Sequence, residues 1–306
     1  MNLSDRERLI LLNLVPDVGS ARLRRLLDAF GGLERVWAAG VRELAQVEGI
    51  GPQLAQRIAD GRRDDARLGR ELALARRHGA VIITLGEAGY PAPLVHIPDP
   101  PLALYVRGRL EPADDIAVGI VGSRRASRYG VQCAERLGYD LALRGVTVVS
   151  GLARGIDGAG HRGALQAGGR TLAVLGSGLA RLYPPDHREL AEQIAHGAGA
   201  LVSEFPMDTA PLPHNFPRRN RLISGLSLGV VVVEASARSG ALITADQALE
   251  QGREVFAVPG PVTAVTSAGT HQLLKQGSRL VTSVEDILEE LRLTARPARG
   301  AVGVAG

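Results

Sequence analysis

From residue 115 onward, short apolar runs rich in Val and Ile alternate with stretches in which apolar residues recur at helical spacing. The runs predict six strands, at residues 116–121, 146–149, 172–175, 200–204, 230–234 and 254–258. The spacing between them predicts helices at residues 127–144, 157–167, 185–196, 217–224 and 241–251. Apolar strands separated by helices are typical of a parallel sheet covered on both faces. We therefore predict an α/β fold with an extended Rossmann-like, doubly wound, mostly parallel sheet over residues 111–292.

The first 66 residues show short helical segments separated by glycine-containing turns, with no convincing strand. This pattern predicts a small all-helical domain of the helix-hairpin-helix or SAM-like kind. The turn Gly49-Ile50-Gly51 resembles the helix-hairpin-helix element, in which backbone N–H groups at a helix start offer a phosphate site. The alternative is a turn that only joins two packed helices. Contact with duplex DNA is thus one of two open interpretations.

Residues 67–110 connect these two parts. A charged helix is predicted from Arg62 through His78, followed by a strand at residues 81–85 and a Pro-rich segment at residues 90–101. We expect this segment to be joined to the Rossmann-like domain. Residues 293–306 are rich in Ala, Gly, Arg and Pro without periodicity, which predicts a flexible tail.

Composition adds a weakly basic character. The 306 residues include 36 Lys and Arg against 32 Asp and Glu, a net charge of +4, and the pI is ≈ 9.7. This balance favours a local nucleic-acid patch over an enveloping positive field. Because Cys133 is the only cysteine, an internal disulfide and a Cys-rich metal site are excluded. We expect a cytoplasmic protein without a membrane segment, since no signal-peptide layout or long apolar run is present.

The ends of the predicted strands are rich in Ser and Gly. The first strand is followed by Gly122-Ser123-Arg124, the second by the Ser150-to-Asp157 turn, and the fifth by the Ser239-to-Thr244 turn. In open parallel sheets the ligand crevice lies outside the carboxyl ends of the strands. Glycine permits a close backbone approach, and exposed N–H groups at helix starts favour anions. Several such turns on one edge point to a polyanion, although serine also caps helices without any ligand.

The segment from Phe216 to Arg221 places three arginines and an aromatic ring in six residues, in a chain that is 3% aromatic. Guanidinium groups neutralise phosphates, and a ring offers a face on which a base stacks. This chemistry suits single-stranded nucleic acid. The alternative is a helix start with Pro217 in its first turn and arginines in surface ion pairs.

Other chemistries find little support. The chain lacks the G-x-G-x-x-G spacing of dinucleotide-binding turns and the P-loop motif, so NAD and P-loop chemistry are set aside. Its histidines do not have metal-ligand spacing, and we expect no metal and no cofactor. Ser150, Asp157 and His161 form an imaginable triad, but Asp157 fits better as a helix cap.

Four motifs together resemble the DNA-processing protein A (DprA/Smf) family, collinearly over about residues 85–288. They are Gly122-Ser123-Arg124, Ser150-Gly151-x-Ala153-x-Gly155-Ile156-Asp157, Phe216-Pro217-x-Arg219-Asn220-Arg221-x-Ile223-Ser224-Gly225-Leu226-Ser227 and Ser239-Gly240-Ala241-Leu242-x-Thr244-Ala245. The resemblance implies a single-stranded DNA-binding protein of natural transformation. Such proteins protect incoming DNA, load the RecA recombinase on it and dimerise through the Rossmann-like domain. It implies a binding protein and not an enzyme.

The resemblance also implies roles for individual residues. Arg124 is expected to pair with a phosphate and Phe216 to stack on a base, with Arg219, Asn220 and Arg221 as the floor of the pocket. The alternative for Asn220 and Arg221 is a structural role in which they buttress the loop. The expected DNA-binding residues are Gly122, Ser123, Arg124, Ser150, Gly151, Gly155, Phe216, Arg218, Arg219, Asn220, Arg221, Ser239, Gly240 and Thr244.

Further expectations concern the rest of this set and two departures from the family. Ser150 and Gly151 are expected to offer polar contacts, and Arg218 is expected to face solvent. Some relatives have a lysine just before the phenylalanine, where this chain has Pro213 and His214. Many relatives also carry a C-terminal winged-helix module, and no such sequence follows residue 291.

Two other functions remain as alternatives. One is a related Rossmann-like enzyme that hydrolyses nucleoside monophosphates; those enzymes resemble P-G-G-x-G-T-x-x-E, and the turn from Ser239 to Ala245 lacks a glutamate placed for catalysis. The other is an adaptor that recruits a recombinase while its pocket is vestigial.

Overall fold

The structure is a computed structural model that describes residues 3–197 and 199–293. The tail predicted at residues 293–306 lies outside the described residues from residue 294 onward. Within the described ranges, no helix is both long enough and apolar enough to cross a bilayer.

The N-terminal part is helical, as the glycine-punctuated pattern predicts. Its helices are α1 (Asp5–Leu14), α2 (Ser20–Phe30), α3 (Leu33–Ala38), α4 (Val41–Leu44) and α5 (Pro52–Gly61). A capping box fixes the start of α1, because Ser4 accepts from the Glu7 amide and Glu7 accepts from the Ser4 amide. Fully buried side chains such as Leu26 and Ile58 form the core of this domain.

The connecting segment contributes two strands to the main sheet. It comprises α6 (Asp65–Arg77), β1 (Ala80–Thr84), α7 (Ala92–Val95) and β2 (Ala103–Gly108). The sequence reading missed β2, which follows the Pro-rich stretch. It also started the charged helix too early. Asp64 caps α6 by accepting from the Arg67 amide, whereas Arg62 is buried and donates to the carbonyls of residues 36, 37 and 39 at the C-terminal end of α3.

The remaining elements alternate along the chain. They are β3 (Ala117–Val121), α8 (Arg128–Leu143), β4 (Thr147–Ser150), α9 (Ile156–Gln166), β5 (Thr171–Val174), α10 (Arg188–His196), β6 (Gly199–Ser203), α11 (Asn215–Gly225), β7 (Gly229–Val232), α12 (Gly240–Glu250), β8 (Glu254–Ala257), α13 (Ala268–Lys275), β9 (Arg279–Leu280) and α14 (Val284–Glu290). The ends of the six predicted strands lie within two residues of those observed. The sequence reading missed β9, α13 and α14.

The nine strands form one sheet in the order β1-β2-β6-β5-β4-β3-β7-β8-β9. The seven strands from β6 to β9 pair in parallel, whereas β1 and β2 pair antiparallel, with Tyr105 of β2 opposite Ser203 of β6. Apolar cores lie on both faces of the sheet. The predicted Rossmann-like, mostly parallel fold is therefore confirmed.

This topology places a crevice at one edge. From β3 the chain proceeds to β4, β5 and β6 on one side, and later to β7, β8 and β9 on the other. Ligands of open α/β sheets bind at such a switch point, outside the carboxyl ends of the strands. Here that position lies beside the end of β3 at Val121, between α11 and the start of α12.

Candidate nucleic-acid interface

A cleft of about 570 Å³ opens at this switch point. We refer to it as the cleft. It brings together nine of the fourteen residues expected from the sequence: Gly122, Ser123, Arg124, Phe216, Arg219, Asn220, Ser239, Gly240 and Thr244. Five separate chain segments supply its lining, namely the turns after β3, β4 and β5, the α11 region and the start of α12.

Arg124 and Phe216 form the most distinctive contact of the cleft. The guanidinium carbon of Arg124 lies 4.7 Å from the centroid of the Phe216 ring, which is a cation–π distance. The ring of Tyr183 lies 5.9 Å from that of Phe216 at an interplanar angle of 57°. Tyr183 is 37% exposed and also lines the cleft. The arrangement offers a cation and two partly accessible aromatic faces side by side.

Tyr183 is the residue that sequence reasoning missed. It lies in the loop after β5, beyond the turn at Gly176-Ser177-Gly178. The scarcity of aromatic residues is the signal that could have identified Tyr183, because the chain contains only 5 tyrosines and 4 phenylalanines. A tyrosine that follows a Ser/Gly strand end is a candidate for the same edge as Phe216.

Further cations lie around the aromatic pair. A second cavity of about 120 Å³ lies next to Phe216, and Arg124, Arg125 and Arg154 contribute to its wall. Arg154 is paired with Asp186 at 2.6 Å, whereas Arg125 is exposed in the turn after β3. Exposed arginines beside the cleft provide positive potential where a phosphate chain could approach.

Arg219 is buried and binds the backbone of the sheet edge. Its Nη1 donates to the carbonyl of Gly151 at 2.8 Å and to the carbonyl of Val174. Its Nε donates to Oδ1 of Asn220 at 3.2 Å. Burial lowers the pKa of Arg219 to about 10, while the nearby Asp157 carboxylate opposes this shift. Arg219 therefore fastens α11 to the ends of β4 and β5.

Asp157 is the acidic side chain that lines the cleft. Its carboxylate accepts from the amides of Gly151 at 3.1 Å and Ala153 at 3.4 Å, both in the turn that precedes α9. The helix-cap role expected from the sequence is therefore wrong, because Gly155 is the N-cap of α9 and Asp157 lies inside its first turn. Burial raises the pKa of Asp157, and the charge of Arg219 and these two amides act in the opposite direction. Because its oxygen is held by backbone amides, Asp157 is poorly placed as a general base.

Asn220 and Ser239 join α11 to α12. Nδ2 of Asn220 donates to the carbonyl of Gly240 at 3.3 Å, and Oγ of Ser239 accepts from the amide of Ala241 at 3.3 Å. These contacts place the N-terminus of α12, a helix of 11 residues, at the wall of the cleft. Thr244, only 2% exposed, lies on the next turn.

Ser150 does not reach the cleft, which corrects the polar contact expected of it. The residue is fully buried, and its hydroxyl donates to the carbonyl of Ile120 at 2.5 Å, across the β3–β4 pair. Gly151 is also buried, with its amide and carbonyl bound to Asp157 and Arg219. Both residues hold the strand ends together.

Gly155 also has a structural position. Its φ is +74°, and a Cβ there would lie 2.2 Å from the carbonyl oxygen of Ser123. Only glycine combines this backbone conformation with so close an approach. The turns after β3 and β4 consequently pack against each other.

Arg221 lies on the opposite side of α11, so the expectation that it forms the floor of the pocket is wrong. Its Nη1 and Nη2 donate to the Glu204 carboxylate at 2.9 and 2.8 Å, and its Nε lies 3.4 Å from Asp99. Arg218 is exposed, in agreement with its expected orientation, and its guanidinium carbon lies 5.5 Å from the Phe205 ring.

Ser150, His161 and Asp157 do not form a catalytic triad in the structure. Nδ1 of His161 lies 2.7 Å from Oγ1 of Thr171, whose own hydrogen goes to the Val148 carbonyl, so the imidazole donates to Thr171. Burial lowers the pKa of His161 to about 3, which keeps the ring neutral. In residues 3–197 and 199–293, no three His, Cys, Asp or Glu side chains cluster closely enough to hold a metal ion.

The helix-hairpin-helix turn lies at a second surface. Arg22 donates from Nε to the carbonyl of Gly49 at 3.3 Å and from Nη1 to the carbonyl of Asp17. One side chain thus bridges the turn between α1 and α2 and the turn before α5. Gly51 precedes α5 and Pro52 begins it. The two turns are thus held next to each other.

Two family models match separate segments of the chain. The family model of the DNA recombination-mediator protein A matches residues 81–292, and that of the SAM-like helix-hairpin-helix tandem matches residues 9–64. The chain is 54% identical to Protein Smf of Escherichia coli (strain K12) over 203 residues, which cover 66% of this chain and 54% of that protein. It is 43% identical to the DNA processing protein DprA of Bacillus subtilis (strain 168) over 226 residues, 74% of this chain and 76% of that protein. The chain thus spans only about half of the Escherichia coli relative.

Solved structures show the same similarity. DNA processing protein A from Streptococcus pneumoniae superimposes with a TM-score of 0.81 at 34% identity, over 95% of this chain and 99% of that one. DNA processing protein A from Helicobacter pylori, whose structure concerns its single-stranded DNA binding mode, superimposes with a TM-score of 0.62 at 29% identity, over 69% of this chain and 95% of that one.

Proposed function

The chain belongs to the DNA recombination-mediator protein A family, and from this premise we propose that it binds single-stranded DNA in the cleft. The observation that carries the proposal is the stacked Arg124–Phe216 pair with Tyr183 beside it, at the carboxyl edge of a parallel sheet. Single-stranded DNA exposes both phosphates and unpaired base faces, and this constellation complements both.

The contacts divide by chemistry. Arg124 and Arg125 neutralise phosphates, and the N-terminus of α12 adds the positive end of a helix dipole. Phe216 and Tyr183 stack on bases, each stacked base contributing about 1–3 kcal/mol. Since neither cations nor ring faces distinguish bases strongly, we expect little sequence preference.

The biological role extends this proposal. We propose that the protein protects incoming DNA and loads the RecA recombinase on it during natural transformation. We further propose a homodimer formed through the Rossmann-like domain. Exposed apolar residues support such an interface, since Leu280 of β9 is 51% exposed and Val262 and Val265, in the loop after β8, are 89% and 77% exposed.

The domain organisation remains part of the proposal. We propose a helical domain at residues 1–66, a connecting segment at 67–110, a single-stranded DNA-binding domain at 111–292 and a tail at 293–306. We also propose that the helical domain contacts duplex DNA through the backbone amides that follow Gly51. A gel-shift series with single- and double-stranded oligonucleotides tests both surfaces, because changes in the cleft should spare duplex binding by the hairpin.

The direct test is binding of a fluorescent oligo-dT by the wild type and by Phe216→Ala and Arg124→Ala. Both variants should bind more weakly. Arg136→Ala is the matched control, because Arg136 is an exposed arginine on α8 outside the cleft and should leave affinity unchanged. Wild-type affinity in both cleft variants contradicts the proposal. Release of adenine from AMP by the wild type would instead support the hydrolase alternative.

A further inference from the structure

A chain of polar contacts links the N-terminal helices to the side of α11 that faces away from the cleft. Ser20, the first residue of α2, donates from its hydroxyl to the carboxylate of Asp99. The other oxygen of Asp99 lies 3.4 Å from Nε of Arg221. Since Ser20 is only 6% exposed, water competes little for this hydrogen bond. One carboxylate thus touches both the helical domain and α11.

The second acceptor of Arg221 is also held by the helical domain. Glu204 accepts from both terminal nitrogens of Arg221, at 2.9 and 2.8 Å, in the bidentate geometry that fixes a guanidinium most firmly. The backbone carbonyl of Glu204 accepts from Nδ2 of Asn13 in α1 at 3.3 Å. Both residues whose carboxylates hold Arg221 therefore contact α1 or α2, Asp99 through its carboxylate and Glu204 through its backbone carbonyl.

The same helix carries cleft residues on its other side. Phe216 and Asn220 are one helical turn apart and line the cleft. Arg221 follows Asn220, and one residue corresponds to a rotation of about 100° around the helix axis, which points its side chain away from the cleft. A shift of α11 at Arg221 therefore changes the position of the Phe216 ring.

We propose that Arg221 is a positioning residue through which the N-terminal helical domain sets the orientation of α11, and thereby the affinity of the cleft for single-stranded DNA. This inference rests on the proposed function of the cleft. Neither Ser20 nor Asp99 lines the cleft, and Asp99 reaches α11 through Arg221, so their effect on binding is indirect. The contact between the helical domain and Arg221 is therefore energetically coupled to DNA binding in the cleft.

The test is oligo-dT binding by the full chain carrying Ser20→Ala or Asp99→Asn. Couplings between sites typically reach 1–3 kcal/mol, so we expect both variants to bind at least about fivefold more weakly. Asp28→Asn is the control, because Asp28 is an exposed acid on the same helix and outside this contact chain. Unchanged affinity in both Ser20→Ala and Asp99→Asn overturns the inference.

Two further measurements separate positioning from general destabilisation. In a double-mutant cycle, Ser20→Ala should lose its effect on affinity when Arg221 is already Lys, whereas additive effects would refute a route through Arg221. Amide hydrogen exchange in α11 should accelerate in Ser20→Ala while that of α9 stays unchanged. If the wild type binds oligo-dT in a Phe216-dependent way and these variants bind equally well, only the coupling fails; if Phe216→Ala has no effect, the proposed function itself fails.

Discussion

Adding one methyl group at Gly176 should weaken DNA binding without removing any cleft residue. A Cβ at this position would lie 2.7 Å from Cδ1, 3.0 Å from Cε1 and 3.3 Å from Cγ of Phe216. Carbon atoms prefer separations of about 3.5–4.0 Å, so the ring must move by about 1 Å. Phe216 is only half-buried, and its ring can swing outward while the sheet stays intact.

The magnitude follows from stacking. A stacked base contributes about 1–3 kcal/mol, and tenfold in affinity corresponds to about 1.4 kcal/mol. If displacement costs half of this contribution, Gly176→Ala should bind oligo-dT about threefold to tenfold more weakly by fluorescence anisotropy, less severely than Phe216→Ala.

The matched control is Gly69→Ala in α6, where a Cβ meets no atom within 4 Å, and it should bind like the wild type. In the Phe216→Ala background, Gly176→Ala should have no further effect, because the ring it displaces is gone. A folded Gly176→Ala protein with wild-type affinity would refute the reasoning that the position of this ring determines binding.

Three other outcomes are expected. Arg124→Ala should reduce the slope of log affinity against log salt by about 0.7 if it removes one phosphate contact, and an unchanged slope contradicts that contact. Glu204→Gln should lower the free energy of unfolding by about 3 kcal/mol in urea titrations, because it leaves Arg221 with one half-exposed partner; a loss near zero argues against the buried pair. Since burial lowers the pKa of His161 from 6.5 to about 3, the unfolded chain takes up a proton between those pH values that the folded chain does not. Stability should therefore fall as the pH drops below about 6.5, by about 1.4 kcal/mol per pH unit, and His161→Gln should flatten that slope.

The fold was predictable where hydrophobic pattern and tertiary burial agree. The strands from β3 to β8 are mostly apolar because helices cover both faces of the sheet, and that signal is local. The strand β2 was not predictable in the same way, since it directly follows the Pro-rich stretch. Its pairing with β1 and β6 joins distant segments, which no local window contains.

The sequence predicted at which edge of the sheet the site lies, but not which individual residues line it. Ser/Gly turns indicated which ends of the strands converge, yet they did not separate Ser123, which lines the cleft, from Ser150, which is buried. The arginines of α11 are adjacent in the sequence but differ in rotation around the helix, so Arg219 and Arg221 point to different partners. Which partner each meets depends on elements far away in the chain, such as Glu204.

The antiparallel pairing of β2 with β6 limits how the chain can be cut. If the polypeptide began at residue 111, the β6 strand would keep β5 but lose its other neighbour, β2, and would present a row of open N–H and C=O groups along an apolar stretch. Such an edge recruits strands from other molecules, and the fragment should aggregate. A dissection that intends to remove only the helical domain must therefore retain β1 and β2, and a fragment that precipitates would reveal nothing about what the missing helices do.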